Sequence, residues 1–399
     1  MLSRGYCRLF QKTAFIFMRF LRFPLPKEIH SVQDFSSSLK QRNISKILIV
    51  TGPCFLKNEE FLRILNDLEN DNISYEVFSS VNREPDFALA EAIKDSYLKN
   101  ECEGMLSIGG GSVIDASKAA SLLIKDPEHS LEHFRGMLKV RKGRSYLCVV
   151  PTTAGTGSEA TVAAVVVNQK NGDKFSINDP HLIPDEVFFD DEFLKTVPQH
   201  LIAESGMDAL THALEAYIGK SGTQFTDQYA LKALSMIHMN LLNYYYNPED
   251  DIARKRMQMA SYDAGVAFTR AYVGYVHALA HAIGGKYHLG HGYCIAILLP
   301  YVLLSYGKTI DKKMAHLYDL WKLGKEKDND VKRSKVIEEI ISFNARMKIP
   351  SSFNGLIKEE DYQDLAEHAS KEANPWYPVP KEMNVKELKD IIIKANGRS

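Results

Sequence analysis

The sequence predicts an α/β N-terminal domain with a parallel sheet, followed by an all-α C-terminal domain. Two observations carry this prediction: short β-branched runs alternate with helical stretches up to about residue 190, and long amphipathic stretches replace them after Pro198. We place the boundary so that residues 1–193 form the first domain and 194–399 the second. A chain of 399 residues is long enough for two cores of ordinary size.

Short aliphatic runs predict the strands of the first domain, because runs of this length that are rich in Val and Ile are typical of buried strands. Helical patterns lie between them at 86–100 and, after a glycine cluster, up to Leu123. This rhythm indicates right-handed crossovers and therefore a parallel sheet. The predicted strands are 46–51, 73–80, 104–108, 146–150, 161–168 and 187–190.

The second domain is predicted from apolar residues at helical spacing. Hardly any β-rich run interrupts it, so we expect it to be entirely helical. The clearest helical stretches are 201–219, 226–246, 251–269, 275–286 and 331–347.

The composition is that of a soluble globular protein, with 45% hydrophobic and 25% charged residues. A formal net charge of −1 provides no overall field for a polyanion, so we expect no nucleic-acid partner. The five cysteines are scattered and form no Cys-x-x-Cys pair, which argues against a disulfide framework or a zinc ribbon and for a reducing compartment.

The first 27 residues are basic and contain no acidic residue. Their longest uncharged run, 13–18, is far short of the roughly 20 residues that a membrane-spanning helix needs, and no small-residue cleavage site follows it. We therefore expect a cytoplasmic protein with no membrane partner. The basic residues of this extension, to which the sequence assigns no function, are Arg4, Arg8, Lys12, Arg19, Arg22 and Lys27.

Three glycines, Gly109, Gly110 and Gly111, stand with Ser112 between a predicted strand and a predicted helix. Unpaired N–H groups at a helix N-terminus favour a phosphate there, and glycines let the backbone approach it. The segment lacks the Gly-x-Gly-x-x-Gly spacing and also suits a tight turn, so it leaves a structural reading open. Asp115 likewise fits either a ligand or the first helical turn.

The loop 151–161 follows another predicted strand and combines hydroxyl side chains with two glycines. Such a loop offers many donors to an anionic or sugar-bearing ligand, although a polar surface loop is the structural alternative. Two donor-rich loops after two strands of one sheet favour the ligand, because ligands of open α/β sheets gather beyond the strands' carboxyl ends.

Histidine and carboxylate side chains recur at ligand spacing in the helical half. Asp208 and His212 are four residues apart, as are His277 and His281, so each pair projects from one helix face. Four of the thirteen histidines fall within 277–291. A lone pair of this kind is more often structural, but the cluster suits a first-row divalent ion, and Fe²⁺ and Zn²⁺ both fit its chemistry.

With these segments, the sequence resembles the iron-containing (group III) alcohol dehydrogenase family over nearly its whole length. The resemblance implies a Rossmann-like N-terminal domain and a helical metal-binding domain, a plan shared with dehydroquinate synthase-like enzymes. The matching stretches are 109–112 with Asp115, 151–159, 174–184, 206–212 and 277–300.

The resemblance implies roles for individual residues. It places His281 beside the nicotinamide as the catalytic residue and leaves His288 a bystander. The implied metal ligands are Asp208, His212, His277 and His291. The implied cofactor-binding residues are Gly52, Gly109, Gly110, Gly111, Ser112, Asp115, Thr152, Thr153, Thr156 and Lys174.

Three positions depart from the family pattern. Many relatives have Asp at the position of Gly52, where its carboxylate would hold the ribose 2′-hydroxyl and repel a 2′-phosphate. Gly52 lacks this repulsion, so we expect NADP at least as readily as NAD. Gly290 and Ile295 replace a usual Pro and Asn around the last ligand, which bears on metal preference more than on function.

The predicted function is that of a metal-dependent alcohol dehydrogenase acting on a small alcohol, diol or aldehyde with NAD(P) and Fe²⁺, with Zn²⁺ as the alternative ion. The family further implies a homo-oligomer, such as a dimer. The rival interpretations are a zinc-dependent glycerol dehydrogenase, a dehydroquinate synthase-like enzyme, a metallohydrolase with the same ligands, and a scaffold protein with a structural metal.

Overall fold

The structure, a computed structural model, describes residues 4–18, 23–82, 84–169 and 173–397. The chain separates into two compact units, Arg22–Val197 and, together, Met1–Leu21 and Pro198–Ser399. The division thus falls at residues 197 and 198, close to the predicted 193 and 194. The N-terminal helix clusters with the helical unit, whereas the predicted boundaries assign it to the α/β domain. Arg19 and Arg22 of the basic extension lie outside the described residues.

A parallel sheet forms the centre of the α/β unit, as predicted, and it has six strands, of which β1 (Lys27–Ile29) was not predicted. Its strands lie in the order β1-β9-β6-β4-β2-β3. They are β1 (Lys27–Ile29), β2 (Lys46–Thr51), β3 (Ser74–Phe78), β4 (Gly104–Gly109), β6 (Leu147–Pro151) and β9 (Glu186–Phe188). The helices are α2 (Val32–Gln41), α3 (Glu59–Asn70), α4 (Phe87–Lys99), α5 (Gly111–Lys125) and α6 (Leu131–Phe134).

The strand order creates a topological switch point between β2 and β4. The chain leaves β2 for β3 on one side, then returns to β4 on the other side of β2. Thr51 pairs with Ile108, so Gly52 and Gly109 end neighbouring strands at the same edge. Open α/β sheets bind their ligands at such a point.

One predicted strand lies outside the main sheet. The run predicted at 161–168 is β7 (Ala163–Asn168), which pairs antiparallel with β8 (Asp173–Asn178), while β8 pairs in parallel with the short β5 (Gly136–Met137). The burial pattern gives the reason. Every residue of β4 and β6 is buried, as a strand covered on both faces requires, whereas β7 alternates between buried and half-buried residues.

The second unit is helical throughout its described residues, which confirms the predicted fold class. α11 contains Pro300 and lies among α7, α10, α13 and α15. The helices are α1 (Arg4–Met18), α7 (Gln199–Ile218), α8 (Gln224–Tyr246), α9 (Asp251–Ala271), α10 (Tyr275–Tyr287), α11 (His291–Tyr306), α12 (Asp311–Trp321), α13 (Asn329–Arg346), α14 (Tyr362–Ala373) and α15 (Val385–Ala395).

Among the described residues, the stretch His291–Trp321 is the one that is long and apolar enough to pass as a membrane span. Of its most apolar window, 61% is buried inside the protein. A helix that is apolar on all sides is typical of the core of a large protein, and this stretch packs among other helices.

A candidate metal centre and cofactor loop

Three helices of the helical unit carry the predicted metal ligands. α7 bears Asp208 and His212 one turn apart, α10 bears His277, and α11 begins at His291. Asp208, His212 and His277 are buried, whereas the side chain of His291 is 40% exposed. The centre is therefore closed on the α7 side and open beside His291.

The ligand atoms converge on one carboxylate oxygen. Asp208 Oδ1 lies 3.7 Å from His277 Nε2 and 3.5 Å from His291 Nε2, and the ligand atoms of these three residues all lie within 4.8 Å of one another. His212 Nδ1 lies 3.7 Å from the same oxygen, and its ring centroid is 4.4 Å from that of His277. The structure thus gathers three of the four predicted ligands into one cluster and sets His212 beside it.

Two buried polar atoms at this point fit a bound cation. Asp208 Oδ1 and His277 Nε2 are buried without a hydrogen-bond partner. Buried polar atoms are nearly always satisfied in folded proteins, so two orphaned atoms facing each other call for an ion between them. One carboxylate oxygen with imidazole nitrogens is a donor set that Fe²⁺ and Zn²⁺ both accept.

The pKa values of the same side chains favour the binding of a cation. Burial by itself raises the pKa of Asp208, but the imidazoles of His212 and His291 outweigh it and hold the pKa well below the usual range. Burial by itself lowers the pKa of His277, but the carboxylates of Asp208 and Glu215 raise it to about 9. Desolvation lowers the pKa of His291, which favours its neutral form. A metal ion would displace the His277 proton, so its affinity depends on pH.

Glu215 orients His277, a role that the sequence did not reveal. Its Oε2 accepts hydrogen bonds from His277 Nδ1 at 2.6 Å and from the backbone N–H of Gly274 at 2.7 Å, while Oε1 accepts from Val276 N at 2.9 Å. The Nδ1–H of His277 is thereby occupied, and its Nε2 lone pair is aimed at Asp208. The available signal was the position of Glu215 on α7, one turn beyond His212.

His281 lies at the open side of the centre. Its ring stacks on that of His291 with centroids 5.1 Å apart, and its Nδ1 donates to Glu372 Oε1 at 2.7 Å. Tyr377 Oη donates to the same oxygen at 2.7 Å. The side chain of His281 is 42% exposed, so water reaches it. His288, the predicted bystander, caps the C-terminal end of α10 and is exposed.

The glycine cluster of the α/β unit packs directly on the hydroxyl-rich loop. A Cβ on Gly110 would lie 3.3 Å from Thr153 Oγ1, and one on Gly111 would lie 2.9 Å from Thr156 Cγ2. Thr152 N also donates to Gly109 O at 3.1 Å. The glycines thus allow close packing against the threonine side chains of the loop. No side chain caps α5 after Gly110, and the N–H of Val113 donates to Gly110 O, so the N–H groups of Gly111 and Ser112 are the ones available to an anion. Ser112 is exposed in this turn.

Two predicted cofactor residues have protein partners. Asp115 accepts hydrogen bonds from Ser158 Oγ at 2.6 Å and from Val165 N at 3.0 Å, so both carboxylate oxygens tie the helix α5 to the loop and to β7. Lys174, on β8, forms an ion pair with Glu84 at 2.5 Å between exposed side chains. Asp115 therefore has a structural partner set of its own, and Lys174 is held by a bond that water screens.

A buried lysine supports the hydroxyl-rich loop from below, and the sequence did not single it out. Lys118 Nζ donates to the carbonyl oxygens of Ser158 at 2.7 Å, Thr161 at 2.9 Å and Ala163 at 2.8 Å. Burial lowers the pKa of Lys118 to about 8. Burial also raises the pKa of the neighbouring Glu159 to about 7, and its Oε1 has no hydrogen-bond partner. The available signal was a lysine flanked by small residues, Ser117, Ala119 and Ala120, in the middle of a predicted helix.

The variant Glu159→Gln should change how stability depends on pH. The pKa of Glu159 is about 7 in the folded protein against 4.5 for an ordinary Glu, so between these values the folded state binds more protons than the unfolded chain. The free energy of unfolding therefore falls as the pH rises through this window. Gln cannot ionise and so lacks this loss of stability. We therefore expect the Tm difference, variant minus wild type, to be several degrees more positive at about pH 7.5 than at about pH 5.

The control is Glu128→Gln, which removes a carboxylate that is 78% exposed in the same unit. Its Tm difference from wild type should stay constant over the same pH range. A constant difference for Glu159→Gln as well would show that Glu159 is ionised in the folded protein throughout this range.

Matches to two parts of one protein family together cover nearly the whole chain. The family described as iron-containing alcohol dehydrogenase matches residues 27–191. The family described as the C-terminal part of the Fe-containing alcohol dehydrogenases matches residues 202–396. The helix α1 precedes the matched region. These matches confirm the predicted family.

Characterised relatives point the same way. The NADPH-dependent butanol dehydrogenase of Clostridium saccharobutylicum is 30% identical over 381 residues, which cover 93% of this chain and 97% of that protein. The NAD-dependent methanol dehydrogenase of Bacillus methanolicus is 32% identical over 345 residues, covering 85% of this chain and 89% of that protein. Relatives with either nicotinamide cofactor are thus about equally similar.

Solved structures of similar fold include a 1,3-propanediol oxidoreductase, with a TM-score of 0.88 and 28% identity over 94% of this chain and 100% of that one. An alcohol dehydrogenase from Oenococcus oeni has a TM-score of 0.89 and 27% identity over 94% of this chain and 99% of that one. They confirm the predicted fold class. The chain belongs to the iron-containing alcohol dehydrogenase family and is an NAD(P)-dependent, iron-type alcohol dehydrogenase.

Proposed function

We propose that this chain interconverts short primary alcohols or diols and their aldehydes at an Fe²⁺ site formed by Asp208, His212, His277 and His291. The observation that carries the proposal is the convergence of imidazole nitrogens on the buried, orphaned oxygen of Asp208. The experiment is anaerobic purification with metal analysis, followed by a panel of small aldehydes offered with NADH and with NADPH. Oxidation of neither cofactor by any aldehyde, in protein that contains iron, would refute it.

Bound Fe²⁺ would act as a Lewis acid on the substrate oxygen. The residues of the chain then have separate tasks. Glu215 fixes the tautomer of His277, so that Nε2 faces the centre. His281 is the group that we propose to carry the alcohol proton to water, because its ring is exposed and its Nδ1–H is held by Glu372, which leaves Nε2 free to take up and release a proton.

The nicotinamide cofactor is proposed to bind at the carboxyl edge of β2, β4 and β6. Its pyrophosphate would meet the first turn of α5 at Gly109, Gly110, Gly111 and Ser112, and Thr152, Thr153 and Thr156 would line the loop beside it. For Asp115 we propose an indirect part, since it positions Ser158 and β7. Lys174 can reach the cofactor only by exchanging its exposed bond to Glu84.

The variant Gly52→Asp tests the cofactor choice. A carboxylate at the end of β2 would accept the ribose 2′-hydroxyl of NADH and repel the 2′-phosphate of NADPH, so we expect the kcat/KM ratio of NADPH to NADH to fall by about tenfold or more. A Cβ at Gly52 would lie 3.0 Å from Val81 O, so some activity should be lost with both cofactors. The variant Gly52→Ala measures that steric part, and an equal ratio in the two variants would contradict the assignment.

The rival functions are not favoured. The family matches support the alcohol dehydrogenase interpretation over the zinc-dependent glycerol dehydrogenase, dehydroquinate synthase-like, metallohydrolase and scaffold interpretations. We further propose a cytoplasmic homo-oligomer, for which family membership is the support. Light scattering of the purified protein measures its mass against the 45.0 kDa of one chain, and a monomer at micromolar concentration would contradict this proposal.

A further inference from the structure

The N-terminal helix α1 precedes the region that the family shares, yet specific hydrogen bonds hold it. Gln11 Nε2 donates to Pro375 O at 3.0 Å and to Tyr377 O at 2.8 Å, and Gln11 is 5% exposed. Arg8 Nη1 donates to Val379 O at 2.9 Å. These contacts satisfy backbone carbonyls of an irregular segment, so α1 packs in a defined position on the helical unit.

An ion pair and an aromatic contact also stabilise the packing of α1. Arg8 Nε lies 2.8 Å from Glu382 Oε1, whose side chain is 6% exposed. Phe10 packs edge-on against Trp376 with ring centroids 4.7 Å apart. The opposite face of the helix is open, since Leu9 is 64% exposed. One face of α1 thus packs on the helical unit, and the other is exposed to solvent.

The segment under α1 belongs to the surroundings of the metal centre. Tyr377 lies in it and donates to Glu372, which also accepts from His281. Any displacement of α1 would therefore release the carbonyl of Tyr377 and loosen the support of His281. The helix is connected to His281 by three hydrogen bonds in series, through Tyr377 and Glu372.

A second connection is made of aromatic rings. Phe15 lies one turn beyond Gln11 on the same face of α1 and packs edge-on against Tyr272, with centroids 5.9 Å apart. Tyr272 lies 6.1 Å from Tyr377 and ends α9 one turn after Phe268. Phe268 in turn stacks on the His212 ring at 4.1 Å and 12°. The four rings of Phe15, Tyr272, Tyr377 and Phe268 form what we call the aromatic wall.

The aromatic wall is more exposed than the core beside it. All four rings are half-buried, whereas the neighbouring Tyr275 is completely buried. The wall begins beside His212, a predicted metal ligand, and ends at α1, so it leads from the metal centre outward. A row of aromatic rings in this position would contact the carbon chain of an alcohol bound at the centre.

We propose that the aromatic wall is the apolar side of the substrate pocket, and that Phe15 of α1 closes its outer end and limits the length of the substrate's carbon chain. The inference rests on the proposed function, because it takes the Asp208 centre as the place of reaction. It assigns the basic N-terminal extension a role as a specificity-determining element of this enzyme.

The test compares Phe15→Ala and Phe15→Trp with wild type, using propanal and hexanal. Discrimination by one methylene group in an apolar pocket is commonly about tenfold or more. We expect the kcat/KM ratio of hexanal to propanal to rise about tenfold in Phe15→Ala and to fall in Phe15→Trp, while the iron content stays near wild type. The matched control is Leu9→Ala on the exposed face of α1, which should leave the ratio unchanged.

A binding measurement decides the inference independently of turnover. Dissociation constants of 1-propanol and 1-hexanol, measured by NMR titration of the iron-loaded protein with cofactor, should shift in the same direction as the kinetic ratio. Unchanged ratios in both Phe15 variants, by kinetics and by binding, would overturn the role of α1. Shifted binding ratios without aldehyde reduction by wild type would support the wall and refute the proposed reaction.

Discussion

Replacing Asp208 with Asn is expected to remove both the bound iron and the activity. Asp208 Oδ1 is the atom on which His277 and His291 converge, and an amide in its place brings no charge and turns an N–H₂ donor toward them in one of its two orientations. Loss of one anionic ligand and of Lewis-acid stabilisation of the developing charge, worth several kcal/mol, corresponds to a fall in kcat/KM of about a thousandfold. We expect bound iron to fall below about a tenth of wild type.

The matched control is His288→Asn, which alters a histidine of the same cluster in sequence but outside the predicted centre. His288 has a φ of +53°, a conformation that Asn tolerates, so the variant should fold and keep its iron. Iron content and propanal reduction are measured on both variants after anaerobic purification. An Asp208→Asn enzyme that retains the iron content and turnover of wild type would contradict the assignment of the metal centre.

Local patterns predicted the parts of the fold and the site that depend on short spacings. The four-residue spacing on α7 places Asp208 and His212 side by side, and the strand rhythm gave the parallel sheet around β2 and β4. A periodic pattern defines one face of one element, so it finds ligands that share a helix. It does not say which faces of different elements meet.

Long-range partners explain what the sequence left out. Glu215 and His277 are separated by 62 positions, and Glu372 and His281 by 91, so no spacing rule links them. Asp115, a predicted cofactor residue, accepts a hydrogen bond from Ser158, which is 43 positions away, and no spacing rule links these two residues either. The resemblance to a family gave roles to positions that match it and none to α1.

The electrostatic environment of each carboxylate depends on tertiary contacts in the same way. Glu159 and Glu215 are both buried, yet Glu159 has an unpartnered oxygen, whereas Glu215 receives three N–H groups. Their surroundings, and not their residue type or their position in a helical pattern, make one carboxyl a group with raised pKa and the other a fixed acceptor.

Glu215→Gln is expected to weaken iron binding by about ten- to a hundredfold, the usual effect of removing a partner that orients a metal-binding histidine. Glu215 accepts from Gly274 N, Val276 N and His277 Nδ1, and all three are donors. In Gln, the N–H₂ group must face at least one of them, which turns a short hydrogen bond into a donor–donor contact. The His277 ring then loses its fixed tautomer, and Nε2 is no longer held toward Asp208.

The iron affinity is measured by competition with a chelator, and kcat is measured at saturating iron to separate binding from chemistry. Glu339→Gln is the matched control, because Glu339 also pairs with a histidine, His238, at 3.4 Å, on helices that carry none of the predicted ligands. A positioning role requires that Glu215→Gln lowers the affinity for iron while Glu339→Gln does not. If instead both variants lose the same stability and neither loses iron, Glu215 serves only to cap the start of α10, and the tautomer of His277 must be set by Asp208 alone.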